Sequence, residues 1–377
     1  MVLTNEILSY IEAHRQEAFD LLCELGQIPA PSNHEEKRAE FCKVWLEKQG
    51  AEGVYIDEAL NVIYPLGVTA DNPLVVYMAH SDVVFSDTTP LPLKVEDGKI
   101  KCPGIGDDTA NAVALLMAAK YIAENQLQPK AEGVLLVINS GEEGLGNLKG
   151  SRKIMEDFGH RVREFITFDG YANNITMKAV GSKRYQVVVR TEGGHSYGAF
   201  GNRNAIAYLA ALIGDLYNIK VPPMGKTTYN VGLISGGTSV NTIAQHAEML
   251  YEYRSDDRES LEIMRKHLEA ALDFYRTKGI QVKCTLLGER PCGAEVDPEK
   301  FDALKQRAVE ATARYFGKEP VFKSGSTDCN IPLSMGIPAI CPGCIISYGA
   351  HTREEYAEID SLQPGTCLAF ELILHHF

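Results

Sequence analysis

The segment LVVYMAHSD, residues 74–82, joins an apolar, strand-like run directly to a histidine and an aspartate two positions apart. A run that is apolar throughout is typical of a strand buried on both faces of a parallel sheet. Imidazole and carboxylate groups are ligands of zinc, cobalt and manganese. We therefore expect a buried strand that ends at a metal site, with His80 as a ligand and Asp82 fixing the imidazole ring through its second nitrogen.

Two further strand-like runs end in residues of the same chemistry. The run VLLVINSG precedes Glu142 and Glu143, and the run EFITF precedes Asp169. Because ligands of a parallel sheet gather at the carboxyl ends of its strands, we expect these side chains to meet His80 at one edge. Of the two glutamates, Glu143 is expected to bind metal, while Glu142 stays free to act as a general base.

A Gly-containing turn, PGIGDD at residues 103–108, carries two adjacent aspartates. Neighbouring carboxylates repel each other unless a cation lies between them and their surroundings. We expect Asp107 to bind metal and Asp108 to cap the helix predicted at 109–124. His351, in the loop SYGAHT, can be either a ligand or an ordinary loop residue on this pattern alone.

Composition excludes several classes of function. The chain has 377 residues, of which 45% are hydrophobic and 23% charged, which is typical of a globular protein. Its formal net charge of −13 argues against nucleic acid and anionic membranes as partners. We expect no signal peptide and no membrane span, since neither a basic start followed by an apolar core nor a sufficiently long apolar run occurs. Nine scattered cysteines predict reduced thiols and a cytoplasmic protein.

The order of predicted elements indicates two domains. Strands alternating with helices over 1–180 and 291–377 predict an α/β domain with a mostly parallel sheet flanked by helices. Residues 181–290 read as β-α-β-β-α-β, a ferredoxin-like α+β domain inserted into the first. At the start of the chain we expect one helix capped by Thr4, then a second helix with Ser32 and Glu35 as its capping box.

Taken in order, the motifs resemble those of the M20 family of dinuclear zinc peptidases and amidohydrolases, which includes peptidase T and carboxypeptidase G2-like enzymes. The resemblance extends over nearly the whole chain. It rests on seven segments: HSD at 80–82, PGIGDD at 103–108, GEEG at 141–144, FDG at 168–170, GGHS at 193–196, SGSTD at 324–328 and GAHT at 349–352.

This resemblance implies two divalent metal ions, zinc first, with cobalt or manganese as alternatives. Asp107 would bridge the two ions. His80 and Asp169 would complete one site, and Glu143 and His351 the other. One departure from the family pattern is Thr109, where many relatives carry a lysine.

The resemblance also implies roles outside the metal ligands. Glu142 would be the general base, Asp82 would orient His80, and the inserted domain would serve as a lid and form a homodimer. His195 would approach the substrate carbonyl, reaching across that dimer. Four residues would bind the rest of the substrate: Asn241, Arg254, Ser326 and Thr327.

The sequence thus predicts metal-dependent hydrolysis of a peptide or amide bond in a small substrate, a di- or tripeptide cleaved by an exopeptidase. The attacking group would be a water activated by the metal, with Glu142 as general base. An N-acyl amino acid deacylase with the same site is the alternative. From other classes, a catalytically inactive binding protein and a redox protein using Cys341 and Cys344 remain open, the latter requiring an exposed thiol of low pKa.

Overall fold

The computed structural model describes residues 2–377, and the chain divides into two compact units. Unit 1 spans the chain up to Ala179 and again Ala294–Phe377, and unit 2 spans Val180–Gly293. Unit 2 is therefore inserted in the sequence of unit 1.

Helices make up much of both units. Four short helical turns lie at Ile105–Thr109, Gly144–Gly146, Ile359–Ser361 and Leu374–His376. Within residues 2–377 the α-helices are α1 Asn5–Ala13, α2 Arg15–Gln27, α3 Glu36–Lys48, α4 Ala110–Glu124, α5 Lys149–Phe158, α6 Ala205–Tyr217, α7 Arg258–Thr277, α8 Pro298–Phe316, α9 Asn330–Ser334 and α10 Leu362–Ile373.

The strands of the described residues form four sheets. They are β1 Tyr55–Ile56, β2 Val62–Leu66, β3 Leu74–His80, β4 Lys94–Glu96, β5 Lys99–Lys101, β6 Gly133–Asn139, β7 Val162–Thr167, β8 Asn174–Ala179, β9 Gly181–Arg190, β10 Gly194–His195, β11 Thr227–Gly236, β12 Thr242–Ile243, β13 His246–Ser255, β14 Gln281–Arg290, β15 Val321–Gly325, β16 Ala339–Pro342, β17 Ser347–Tyr348 and β18 Tyr356–Glu358.

The main sheet of unit 1 has eight strands in the order β1-β2-β6-β3-β7-β16-β8-β15. Its centre is parallel: β3 pairs in parallel with β6 and with β7, and β7 with β16. Antiparallel pairs occur between β1 and β2, β2 and β6, and β16 and β8. The predicted α/β fold with a mostly parallel sheet is confirmed.

Strand β3 shows why its sequence is apolar throughout. All seven of its residues are buried. Because successive side chains point to opposite faces, Val75 and Tyr77 belong to the core that includes α4 and α10, and Val76 and Met78 to the core that includes α5 and α9. A strand covered on both faces has no solvent side, so polar residues appear only where it ends.

Unit 2 contains a four-stranded antiparallel sheet in the order β11-β13-β9-β14. Helices α6 and α7 supply Leu209, Leu212, Met264 and Leu268 to its core. The long strands and helices follow one another as β-α-β-β-α-β, as the sequence predicts for a ferredoxin-like domain.

Two local expectations were wrong or incomplete, and one sheet was not predicted. Thr4 caps α1, accepting from Ile7 N, but the first helix ends at Ala13 and a separate helix begins at Arg15. Ser32 does not cap α3, because its hydroxyl donates instead to Asp82. The second sheet of unit 1, β17-β18-β5-β4, was not foreseen, since its strands are only two or three residues long.

Among the helices of residues 2–377, none combines the length and apolar character that crossing a bilayer requires.

Candidate metal centre

Three neighbouring strands of the main sheet deliver the candidate ligands to one edge. His80 is the last residue of β3, Asn139 is the last residue of β6, and Thr167 is the last residue of β7. These strands are adjacent and parallel, in the order β6-β3-β7. The segments that follow β6 and β7, carrying Glu142–Glu143 and Asp169, therefore begin beside His80.

Asp107 lies between two histidines. Its Oδ1 is 3.2 Å from His80 Nε2, and its Oδ2 is 3.2 Å from His351 Nε2. His351 Nε2 is also 2.9 Å from Glu143 Oε1. Four of the five predicted ligands thus lie in one contact network, in which each oxygen of Asp107 contacts a different histidine.

Asp169, the fifth predicted ligand, belongs to a second group. Single ligand atoms of His80, Asp108 and Asp169 lie within 4.8 Å of one another, as do those of His80, Asp107 and Glu143. The residues of the two groups offer only imidazole nitrogens and carboxylate oxygens, which suit zinc, cobalt or manganese. The site thus fits divalent cations by the chemistry of its donors.

Asp108 is better suited to support the site than to bind metal. Its Oδ2 accepts from the backbone N–H of His80 at 2.9 Å, and its Oδ1 accepts from Asn111 Nδ2 at 2.6 Å. The expectation that Asp108 caps the following helix is wrong: α4 begins at Ala110 and has no side-chain cap. Both oxygens of Asp108 are thus taken by donors, which a carboxylate removed from water requires.

The pKa shifts of the site reflect its concentrated negative charge. Burial and the nearby charge of Asp107 raise the pKa of Asp169 to about 7. Hydrogen bonds with Asp107 and Glu143 raise the pKa of His351 to about 10. Although burial opposes it, contact with His351 and His80 lowers the pKa of Asp107. The carboxylates therefore attract positive charge, and a divalent cation would compete with protons for the same atoms.

Asp82 organises the two glutamates as well as His80. Its Oδ1 accepts from Glu142 N at 2.9 Å, and its Oδ2 accepts from Glu143 N at 2.9 Å and from Ser32 Oγ at 2.7 Å. His80 Nδ1 lies 3.1 Å from the Asp82 carbonyl oxygen and 3.4 Å from its carboxylate. The ring is thus oriented chiefly by the backbone of Asp82, while its side chain fixes the backbone that carries both glutamates.

Glu355 is a site residue that the sequence analysis missed. Its carboxylate is buried and accepts hydrogen bonds from three backbone N–H groups of the turn at residues 103–108, which carries Asp107 and Asp108 and is called the aspartate turn below. The donors are Gly104 at 2.6 Å, Gly106 at 2.8 Å and Asp107 at 2.9 Å. Burial raises the pKa of Glu355 to about 7 despite these donors. No metal-type pattern surrounds Glu355 in the sequence; only its position four residues after His351 could have suggested a link between the two loops.

Thr109, at the position of the departure from the family pattern, is turned into the protein. Its hydroxyl donates to the Gly104 carbonyl at 2.6 Å and accepts from Arg38 Nη1 at 3.1 Å. Arg38 is fully buried and also donates to the carbonyl of Ser81 at 2.9 Å. Thr109 therefore closes the aspartate turn and joins it to the segment that follows β3.

His195 and Asn241 lie together within unit 2. His195 pairs with Thr242 across β10 and β12, and Ser196 N donates to the Asn241 carbonyl at 2.9 Å. His195 is exposed, and its Nδ1 accepts from the backbone N–H groups of residues 197 and 198 at 3.3 and 3.2 Å. Because Nδ1 is an acceptor, a neutral ring carries its proton on Nε2 and can donate from there.

The other predicted substrate-binding residues have local partners. Arg254 donates from Nε and Nη2 to the two oxygens of Glu252, each at 3.0 Å. In unit 1, Thr327 is buried and its hydroxyl accepts from Cys329 N at 3.2 Å, while Ser326 is half-buried. Asp328 follows directly and accepts from Asn139 Nδ2 at 2.6 Å, which connects this segment to the end of β6.

The cysteines argue against redox chemistry. All nine are free thiols, and Cys341 and Cys344 are both buried. Burial raises the pKa of each of these two thiols well above its ordinary value. Cys341 Sγ donates to the Asp169 carbonyl at 3.3 Å. The exposed thiol of low pKa that the redox hypothesis requires is therefore not found at this motif.

Comparison with known proteins places the site in context. The model of peptidase family M20/M25/M40 matches residues 76–375. An uncharacterised Bacillus subtilis protein, YqjE, is 26% identical over 90% of this chain and 92% of its own length. N-acetyldiaminopimelate deacetylase of Bacillus pumilus is 23% identical over 71% of this chain and 72% of its own. The crystal structure of a Staphylococcus aureus tripeptidase is similar with a TM-score of 0.77 and 22% identity, covering 95% and 97% of the two chains.

The three amides held by Glu355 generate a stability prediction. In Glu355→Gln one acceptor oxygen becomes an NH₂ group, which leaves at least one buried N–H of the aspartate turn facing a donor. We expect the free energy of unfolding to fall by about 2–4 kcal/mol, measured by urea denaturation.

Glu354→Gln is the matched control, because Glu354 is the exposed neighbour in the same loop. That variant should change stability by no more than about 0.5 kcal/mol. Equal losses of stability in the two variants would contradict the conclusion that Glu355 stabilises the aspartate turn through its hydrogen bonds.

Proposed function

Because the chain belongs to peptidase family M20/M25/M40 and is a hydrolase of peptide or amide bonds, we propose that its substrate is a small peptide. It cleaves a di- or tripeptide as an exopeptidase. The observation that carries amide-bond hydrolysis is the contact network of His80, Asp107, Glu143 and His351, with Glu142 directly beside it. The similarity to the Staphylococcus aureus tripeptidase favours a peptide as the substrate.

We assign five residues to two divalent cations, most simply zinc, with cobalt or manganese as alternatives. Asp107 would be shared, His80 and Asp169 would hold one ion, and Glu143 and His351 would hold the other. The contact of each Asp107 oxygen with a different histidine supports this division. When bound, such cations supply the positive charge that lowers the pKa of a water and polarises a carbonyl group.

Glu142 is the proton carrier of the proposed reaction. Its backbone is fixed by Asp82, and its side chain is buried at 5% exposure beside Glu143. Glu142 takes a proton from the attacking water, whose oxygen adds to the carbonyl carbon, and returns the proton to the leaving nitrogen as the C–N bond breaks. Buried in this way, the carboxylate is shielded from competing bulk water.

His195 is assigned as a hydrogen-bond donor to the substrate's carbonyl oxygen. Two backbone N–H groups at Nδ1 leave Nε2 as the donor, and a positioned donor of this kind stabilises developing negative charge. Asn241, Arg254, Ser326 and Thr327 are assigned to the remainder of the substrate. Arg254 must exchange its bonds with Glu252 to bind a substrate carboxylate.

The domains and the assembly follow the same proposal. Residues 1–180 and 291–377 form the catalytic domain, and 181–290 form the lid and dimerisation domain of a cytoplasmic homodimer. In support, the chain divides into compact units close to these boundaries. Strand β11 is an edge of the unit 2 sheet and exposes Leu233 and Ile234, which suits pairing with a second copy.

Deacylation of an N-acyl amino acid is the second candidate. The relative in Bacillus pumilus that is an N-acetyldiaminopimelate deacetylase favours it. Both reactions break an amide bond with the same groups, so the difference lies in what binds on either side of that bond.

Substitution of the general base separates catalysis from metal binding. We expect Glu142→Gln to lower kcat at least about 100-fold, because the amide cannot accept a proton. Its content of divalent metal, measured by elemental analysis, should equal that of the wild type. Glu143→Gln is the paired variant and should lose metal as well as activity. Undiminished kcat in Glu142→Gln would end the assignment of this residue.

Metal removal tests the cofactor directly. We expect a chelator to abolish hydrolysis, and added zinc, cobalt or manganese to restore it, because the buried carboxylates need a cation to act on substrate. Activity is measured alongside metal content after gel filtration. Full hydrolysis by protein that elemental analysis finds free of metal would remove the cation from the mechanism.

A substrate panel decides between the two candidate functions. We expect kcat/KM for di- and tripeptides with a free amino terminus to exceed that for N-acetyl and N-succinyl amino acids at least about 100-fold, which corresponds to about 2.7 kcal/mol. The reverse ranking would establish the deacylase, and Glu142→Gln serves as the blank for contaminating peptidases.

A further inference from the structure

One buried amide connects three segments of the candidate metal centre. Asn111 lies in the first turn of α4 and is fully buried. Its Nδ2 donates to Asp108 Oδ1 at 2.6 Å, and to the carbonyls of Gly170 at 3.3 Å and Gly106 at 3.4 Å. Its Oδ1 accepts from Cys344 N at 2.7 Å. Asn111 thus contacts the aspartate turn, the residue after Asp169, and the loop after β16.

The partners of Asn111 fix the orientation of its amide. The nitrogen faces three oxygens, and the oxygen faces a backbone N–H. Rotating the buried amide by half a turn would set donor against donor and acceptor against acceptor. The side chain therefore has one stable arrangement and acts as a spacer of fixed length.

The contacts of Asn111 lead to three of the assigned ligands. Asp108, which Asn111 holds at Oδ1, accepts at Oδ2 from the backbone N–H of His80. Asp108 is also the chain neighbour of Asp107, and Gly170 is the chain neighbour of Asp169. Displacing the Asn111 amide would therefore shift all three ligands relative to one another.

We propose that Asn111 is a positioning residue that sets the spacing between the aspartate turn and Asp169, and so the affinity for divalent cations. This inference rests on the proposed function, since it concerns the same cations. Groups behind metal ligands act in this way by holding the ligands in the geometry that the ion requires.

The test replaces the donor nitrogen of Asn111 while keeping the size and shape of the side chain. Asn111→Asp retains an oxygen for Cys344 N but turns a second oxygen toward Asp108 Oδ1, where the nitrogen now lies 2.6 Å away. Asn111→Ala removes the amide without adding charge and serves as the second variant. We expect the Kd for zinc, measured by competition with a chromogenic chelator, to rise about 10–100-fold in both variants.

Asn125→Asp is the matched control, because Asn125 follows the same helix, is exposed, and donates only to the Tyr121 carbonyl at 2.9 Å among the contacts of its side chain. Its Kd for zinc should equal that of the wild type. The melting temperature of each metal-free protein is measured in parallel. Weakened zinc binding in both Asn111 variants, with metal-free melting within a few degrees of wild type, supports the positioning role.

Four results would overturn the inference, and they differ from one another. Unchanged zinc affinity with a lowered melting temperature, or failure of both variants to fold, would assign Asn111 to the fold alone. Zinc binding that weakens equally in Asn125→Asp would make the effect one of charge. Wild-type protein that binds no divalent ion would overturn the proposed function together with this inference.

Discussion

Negative charge buried at the carboxyl edge of the main sheet is the constraint on which the site depends. A carboxylate removed from water is costly unless donors or opposite charges surround it. Asp82 receives the N–H groups of Glu142 and Glu143, and Glu355 receives three N–H groups of the aspartate turn. The backbone thus stabilises these carboxylates, and each carboxylate in turn fixes the loop that donates to it.

This arrangement divides the acidic residues into two kinds. Asp82, Asp108 and Glu355 have their oxygens occupied by N–H or O–H donors. Asp107 and Glu143 instead face imidazole nitrogens. The first kind holds the surrounding loops in place through hydrogen bonds, and the second kind remains available to a cation. The donors to the first kind offset part of the cost of burying several acids in one site.

Much of the fold was predictable from the sequence, because strands buried on both faces leave a clear pattern. The runs at 74–79 and 134–138 are apolar throughout, and both belong to central strands that end at the site. Edge elements left weaker signals. The short strands β17 and β18 have no periodicity that can be recognised over two or three residues. Ser32 was predicted to cap a helix because a serine three residues before a glutamate is the pattern of a capping box. The same sequence pattern is compatible with the observed hydrogen bond from Ser32 to Asp82.

The α/β architecture, the inserted β-α-β-β-α-β unit and the residues with metal-binding chemistry could be predicted from the amino-acid sequence, since these depend on local composition and spacing. Which acids accept hydrogen bonds from the surrounding loops and which face the histidines depends instead on contacts between distant segments. Glu355 meets Gly104 across 251 positions of sequence, and Asn111 meets Cys344 across 233. Hydrogen bonds between segments so distant leave no local pattern, because they form only when the packed sheet brings its strand ends together.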